Sequence, residues 1–559
     1  MTPVVRMLDR WSAGWRPYAA LVLLCLCLYL PGMAGLPPFD RDEARFVQAT
    51  RQMIDSGDYV EIRFQDEARN KKPVGIHWLQ AASVGALSSA ESRDLRPYRL
   101  VSVLGVTGAV LLTFALGAVL FDRRTALLGA ALTAASLIAV VEAHLAKSDA
   151  ALVAAALAAE LGLARLYVAA RSGAPPPAGA ALLLWAGIGI AGLIKGPVVP
   201  AIVGLAVLAL WIADRRAGAA GWLPALRAHW GVPLALAIVA PWLILVSTAT
   251  GGAFVGDAVR SDLLPKLIGG QESHGAPPGY YLLLLAVTLW PAALAVPQGL
   301  LAAWRGRAAP AMRLALAWIV PAWLMFEAVP TKLPHYVLPL YPTLALLSAD
   351  ALLAGSAAGR WRWAAVAWRL VWAGIAVALG AGALAAAIVL GGDVVATAAG
   401  ALALCAGLAT AALGLRRQAD PPRAAMVGIA GAVALFALIL GLVMPRLDPL
   451  WVSRQAVALI AREAPASFAD DGWRIAVVGY SEPSFVFLAG TRVRFPDAAG
   501  AAAHLAATPD GIALIGDRDL ARFRAAAAAA ALQTVEGGKA AGFNYSRGRR
   551  VTLTLFRRR

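Results

Sequence analysis

The 559 residues are 60% hydrophobic and only 15% charged, with 50 basic against 33 acidic residues and a formal net charge of +17. Soluble globular chains are far less apolar, so the composition excludes that class and points to a polytopic membrane protein. The arginines sit in small groups between apolar runs, which excludes a nucleic-acid partner and reads as a topology signal, while Cys25, Cys27 and Cys405 lie inside apolar runs and offer neither a disulfide framework nor a thiolate metal site.

The first apolar run follows Arg6, Arg10 and Arg16 and has no small-residue cleavage site, so it reads as a retained span. Runs long enough to cross a bilayer lie near 18–36, 98–120, 125–142, 148–170, 179–195, 197–213, 231–249, 280–303, 311–329, 334–353, 370–390, 394–415 and 424–444, about thirteen in all. The turns holding Arg123 and Arg124, Arg165 and Arg171, Arg215 and Arg216, Arg305 and Arg307, Arg360 and Arg362, and Arg416 and Arg417 fall on one side with the N-terminus. The positive-inside rule makes that side cytoplasmic, which sends the 37–97 loop, the 250–279 loop and the tail after 445 outside.

Immediately after the first span comes PPFDRDEARF, which packs Asp40, Arg41, Asp42, Glu43 and Arg45 into six positions. This outer loop is itself basic, against the topology rule, so its charges serve something else. DEARFVQATRQMIDSGDY places Ala44, Phe46, Val47 and Ile54 between charges, as an amphipathic interfacial helix does, and KPVGIHWLQAASVGAL supplies a second. The other polar residues awkward for a membrane protein gather on the same outer face: Lys71, Lys72 and His77; His144, Lys147 and Asp149; Lys195 before Gly196 and Pro197; Arg260, Lys266, Glu272 and His274; and Glu327, Lys332 and His335. Singly, each reads as a solvated loop end; as a set they mark a site, because ionisable groups at membrane depth are costly. Only seven of the 50 basic residues are lysines and 43 are arginines, yet every lysine maps outside. A compact ammonium grips a phosphate as a point charge, so the lysines point to a phosphate at the outer surface beside carboxylates.

From Trp473 the tail alternates strand and helix signals: RIAVVGY, an Ala-rich helix near 498–507, GIALIG, the helical DLARFRAAAAAAAL and VTLTLF. The expectation is a transmembrane domain over 1–445, including the 37–97 loop, and a small extracytoplasmic α/β domain over 446–559. That domain reads as scaffold, with Asn544, Tyr545, Arg547 and Arg549 as its candidate substrate-facing surface.

PPFDRDEARF, NKKPVGIHW, AHLAKSDAALVA, IKGPVVPAI, PWLILVS, HGAPPGYYL and TKLPHYVLPLYPTLALL, in this order, resemble the polyprenyl-phosphate-dependent membrane glycosyltransferases of the GT-C fold. Within that class the likeness is to the lipid A aminoarabinose transferases, relatives of the protein O-mannosyltransferases. The resemblance implies a mainly α, polytopic fold in a bacterial inner membrane with a periplasmic C-terminal domain. It also implies a sugar carried on undecaprenyl phosphate and an acceptor on lipid A, another envelope glycan or a protein. By motif position, Asp42 would be the base or would orient the acceptor, Arg45 and Lys72 would hold the donor phosphate with help from Arg260 or Lys266, and Asp149 would be the second acidic position. Glu43, Lys195, His274, Lys332, His335 and Tyr336 are further candidate positions. Lys71 stands where the aminoarabinose enzymes carry Glu, which removes an acidic metal ligand and adds charge. The histidines show no ligand spacing, so neither a metal nor a cofactor is expected, and the sugar is left open.

Two other classes share many spans and basic phosphate contacts. A carrier or flippase of lipid-linked sugars is expected to carry internal repeats and midplane polar groups, whereas this sequence has no repeat and keeps its polar residues at span ends. A surface-polysaccharide ligase or polymerase shares the donor class but not this motif order.

Overall fold

A computed structural model describes residues 3–216, 218–265, 275–355, 362–417 and 420–559. Among them, nine helices are long and apolar enough to cross a membrane, and three helix pairs bent by 104°, 60° and 116° bring the number to twelve if each pair is one span. The expected run at 179–195 is the helix Ala180–Lys195, whose 16 residues fall short of the roughly 20 needed to cross a bilayer. Each of the thirteen apolar runs is therefore helical, but the count by length is nine to twelve. The bends account for the difference: Ser136 is extended and splits 125–142 into Arg123–Ala135 and Leu137–Ala143, and the stretch around Pro291 splits 280–303.

Without a hydrophobic drive between helices in lipid, close packing depends on small residues. Helices Ser148–Arg171 and Ala180–Lys195 show this reciprocally. A Cβ added at Gly162 would lie 2.5 Å from the Leu184 backbone nitrogen, and one at Gly187 would lie 2.7 Å from that of Ala159.

The helix Asp42–Ser56 begins with Asp42 and Glu43, whose charges suit the positive end of a helix dipole, and ends at Gly57 in the left-handed region. It is buried on more than one face, with Glu43, Gln48, Thr50 and Arg51 inside as well as Phe46, Val47 and Met53. It packs against Gly75–Leu87 and against Pro483–Ala489 from the tail. Between these helices lies a two-stranded ribbon of β1 (Arg63–Phe64) and β2 (Glu67–Ala68).

The tail forms a four-stranded sheet of β3 (Ile475–Val478), β4 (Ile512–Gly516), β5 (Thr534–Asn544) and β6 (Arg549–Arg558) in the order β3-β4-β6-β5. β3 and β4 pair in parallel, joined by a crossover through Pro483–Ala489 and Ala498–Ala507, and the other pairs are antiparallel. Alternate residues face opposite sides: Ile475, Val477, Ile512 and Leu514 join one apolar cluster, and Ala476, Val478, Ala513 and Ile515 the other. The long β5 was not expected from its Gly- and Ala-rich sequence.

The tail is tied to the 37–97 segment by polar contacts. Gln48 donates to Thr491 Oγ1 at 2.8 Å, and Gln65 donates to the carbonyls of Thr491 and Val493 at 2.9 and 2.8 Å. Arg51 and Arg93 both reach Asp471, at 3.0 and 3.4 Å.

Candidate active site

Where the 37–46 loop meets the helix bundle there is a cavity of about 610 Å³, within the usual range for a small-ligand site. Its walls come from six separate parts of the chain: 39–46, 69–72, 145–149, Lys195, 331–336, and Ser546 at the β5–β6 turn. Seven cationic side chains line it (Arg41, Arg45, Arg69, Lys71, Lys72, Lys147 and Lys195), against four carboxyl groups (Asp40, Asp42, Glu43 and Asp149).

The four carboxyl groups have different surroundings. Glu43 is fully engaged. It accepts from Arg99 Nε and Nη2 at 2.8 and 2.9 Å, from the Phe39 amide at 2.8 Å and from the Ala146 amide at 2.9 Å. Arg99 also donates to the carbonyls of Met33, Leu36 and Pro37. The pair is buried and clamps the turn that presents Asp42, so Glu43 positions this loop. Asp40 accepts from the Ser484 amide and hydroxyl, both at 2.8 Å, and its own amide donates to the Tyr545 hydroxyl at 2.8 Å. Burial pushes its pKa from 3.8 up to about 7, with the Ser484 hydrogen bonds pulling the other way. Asp42 is exposed at the start of its helix, and its side chain makes no hydrogen bond or ion pair among the described residues.

Asp149 belongs to a buried cluster. Lys195 contacts it at 2.5 Å, Lys147 at 3.6 Å and His335 Nε2 at 3.7 Å. Lys147 also contacts Glu142 at 2.9 Å and His335 Nδ1 at 3.3 Å. Burial disfavours the Lys147 ammonium, but the Glu142 and Asp149 carboxylates outweigh it and hold its pKa above the ordinary lysine value; the Asp42 charge adds to that effect. Lys195 lies 5.2 Å over the Tyr336 ring.

Of the residues singled out from sequence, Asp42, Glu43, Arg45, Lys72, Asp149, Lys195, His335 and Tyr336 thus share one cavity, with Lys71 and Lys147. Others lie elsewhere. Arg260 is exposed and does not line the cavity. Lys332 is buried and donates to the carbonyls of Ala276 and Val329 at 3.0 and 2.6 Å, and Glu327 accepts from the amides of Gly279 and Tyr281; both tie loops together. His77 is packed against Thr50 and Phe46, with its pKa lowered to about 3 by burial, and His144 bridges the carbonyls of Val140 and Pro31. Lys266, Glu272 and His274 lie outside the described residues. In the tail, Asn544 and Arg547 donate to Glu482, and Tyr545 and Ser546 reach the cavity loop.

Sequence reading missed Glu142, whose signal was a carboxylate at the end of an apolar run, five residues before Lys147. It also missed Arg99 and the tail residues Glu482 and Ser484, which no local pattern links to the 37–46 loop. Among the described residues, no group of three or more His, Cys, Asp or Glu is arranged to hold a metal ion.

Residues 85–251 match the family described as dolichyl-phosphate-mannose-protein mannosyltransferase. Over 338 residues the chain is 28% identical to the undecaprenyl phosphate-alpha-4-amino-4-deoxy-L-arabinose arabinosyl transferase of Pectobacterium carotovorum, covering 59% of this chain and 57% of that one. A likeness of 28% over 321 residues links it to the enzyme of that name from Pseudomonas paraeruginosa, of whose length it spans 55%. In structure, it superposes on ArnT from Cupriavidus metallidurans bound to undecaprenyl phosphate with a TM-score of 0.72 and 20% identity, covering 96% of this chain and 97% of that one. In sequence over 59% of its length and in fold over nearly all of it, the chain resembles the polyprenyl-phosphate-dependent glycosyltransferases of the GT-C fold.

Proposed function

We propose that this protein is a glycosyltransferase that moves a sugar from an undecaprenyl or related polyprenyl phosphate to a hydroxyl or phosphate acceptor. The acceptor belongs to the outer face of a bacterial cytoplasmic membrane, lipid A being the leading candidate. The observation that carries the reading is the cavity, in which an uncommitted carboxylate, Asp42, faces a wall of cations. In this reading Arg45 and Lys72 hold the donor phosphate. The acceptor oxygen attacks the anomeric carbon, the bond from that carbon to the phosphate oxygen breaks, and its electron pair leaves with the polyprenyl phosphate. Asp42 takes the acceptor proton. The neighbouring cations stabilise the growing phosphate charge, which is where preorganised electrostatics contribute most, and holding both substrates in one pocket lowers the entropic part of the barrier.

The C-terminal unit, 446–559, lies on the periplasmic side in this reading and holds the catalytic loop through Ser484, Glu482 and Tyr545. The test is transfer by purified protein in detergent, from a polyprenyl phosphate sugar to lipid A, followed by mass spectrometry. Product formed without two compartments rules out an obligatory carrier; no product with any donor overturns the transferase reading.

A further inference from the structure

The first of the three bent helix pairs is not laid out as a continuous crossing. Helix Pro3–Trp11 meets helix Arg16–Tyr29 at 104°, so where the second runs into the bilayer the first lies near its plane. Residues one turn apart share a face of a helix, and here they sort into three strips. Val4 and Leu8 turn toward the bundle, Leu8 being 3% exposed, and the helix packs against Arg123–Ala135 and Pro421–Leu438. Met7 and Trp11 stand beside that strip yet are 38% and 46% exposed, and Trp15, just beyond the helix, is 74% exposed. Arg6 and Arg10 occupy the far side and are exposed, as is Arg16.

The charges are unevenly matched. Asp9 pairs with Arg124 at 2.9 Å, and Arg123 donates to the carbonyls of Ser12 and Gly14, which pins this segment to the end of the bundle. Arg16 donates to the Arg10 carbonyl, and the guanidiniums of Arg6, Arg10 and Arg16 meet no carboxylate among the described residues. A helix with Met and Trp along one strip and Arg along the opposite one suits the membrane interface, where aromatic rings sit at headgroup level and cations meet lipid phosphates. This end of the molecule carries the other arginine-bearing turns, so the positive-inside rule makes it cytoplasmic, and the cytoplasmic leaflet is the anionic one.

We propose that Pro3–Trp11 is an in-plane membrane anchor whose Arg6 and Arg10, with Arg16, bind the phosphates of anionic phospholipids, while Met7, Trp11 and Trp15 enter the edge of the acyl layer. The inference does not depend on the transferase reading.

The test is hydrogen–deuterium exchange of the full-length protein in lipid nanodiscs made of phosphatidylcholine alone or of an equal mixture with phosphatidylglycerol. Amides of residues 5–12 should exchange at least about tenfold more slowly in the anionic discs, the effect of one or two arginines at a charged surface. Raising the salt to about 0.5 M should erase most of that difference. Arg6→Gln/Arg10→Gln, which keeps Arg16 as a topology signal, should lose the lipid dependence, whereas Trp11→Ser should speed exchange in both kinds of disc. Equal exchange of the wild type in the two discs overturns the proposal, as does a double variant whose lipid dependence matches the wild type. Should that variant fail to insert, the salt series on the wild type decides, and a difference that persists at high salt overturns the proposal.

Discussion

Replacing Arg99 by Met tests whether the buried clamp beneath the cavity governs both stability and reaction. Its side chain is fully buried and donates five hydrogen bonds, two to Glu43 and three to the carbonyls of Met33, Leu36 and Pro37. Methionine fills most of the volume but leaves the Glu43 carboxylate buried with only the Phe39 and Ala146 amides as donors. Removing one partner of a buried pair costs about 3–5 kcal/mol, most of it from the stranded charge. Glu43→Gln in the same background removes that charge, so the double variant should recover part of the loss, with a coupling of about 1–3 kcal/mol. The measurement is a double-mutant cycle of unfolding in mixed detergent micelles, paired with donor turnover. Turnover should fall in the single variant beyond what lost folded protein explains, because the same clamp orients the turn bearing Asp42. Additive effects of the two substitutions, or an Arg99→Met protein as stable as wild type, would refute the clamp.

Asp42→Asn keeps shape and removes the base; kcat should fall about a hundred to ten-thousandfold, or about 3–5 kcal/mol of barrier, with donor affinity nearly unchanged, and a kcat within threefold of wild type would be incompatible with the assigned role. Asp40 has its folded pKa raised from 3.8 to about 7, so the contribution of its protonated form is present below about pH 4 and is lost as pH rises through 7. Docking of the tail, followed by protease sensitivity between Leu447 and Trp451, should therefore weaken from pH 5 to 8, with Glu482, Tyr480, Tyr545 and Arg41 as the surrounding titratable groups; Asp40→Asn should flatten that dependence, and equal slopes in both proteins would count against it. Gly162→Leu puts a side chain where even a Cβ lies 2.5 Å from Leu184, so overpacking should destabilise the protein by about 1–3 kcal/mol or more, whereas the same change at Gly204, where nothing lies within 4 Å, should be nearly silent.

Much of the architecture follows from the chain alone. Apolar length makes thirteen segments helical whatever surrounds them, because in lipid every backbone group must be satisfied within its own segment. The rarity of lysine and the charge density of PPFDRDEARF likewise pointed to the outer loops. What sequence does not carry is the pairing of groups far apart in number. Glu43 and Asp42 are adjacent and chemically alike, yet one is locked to Arg99 and the other faces the cavity, and only the packing of two helices decides which. Lys332 and Lys72 look equivalent as outer lysines, but one is spent on the carbonyls of Ala276 and Val329 while the other lines the site. β5, rich in Gly and Ala, has no strand signal of its own and forms because β6 offers it an edge. Local patterns determine which segments are helical and where charge collects. Long-range contacts, between 37–46 and 482–484 above all, determine which of those charges are left to act, because a carboxylate's role depends on its partners and its burial rather than on its type.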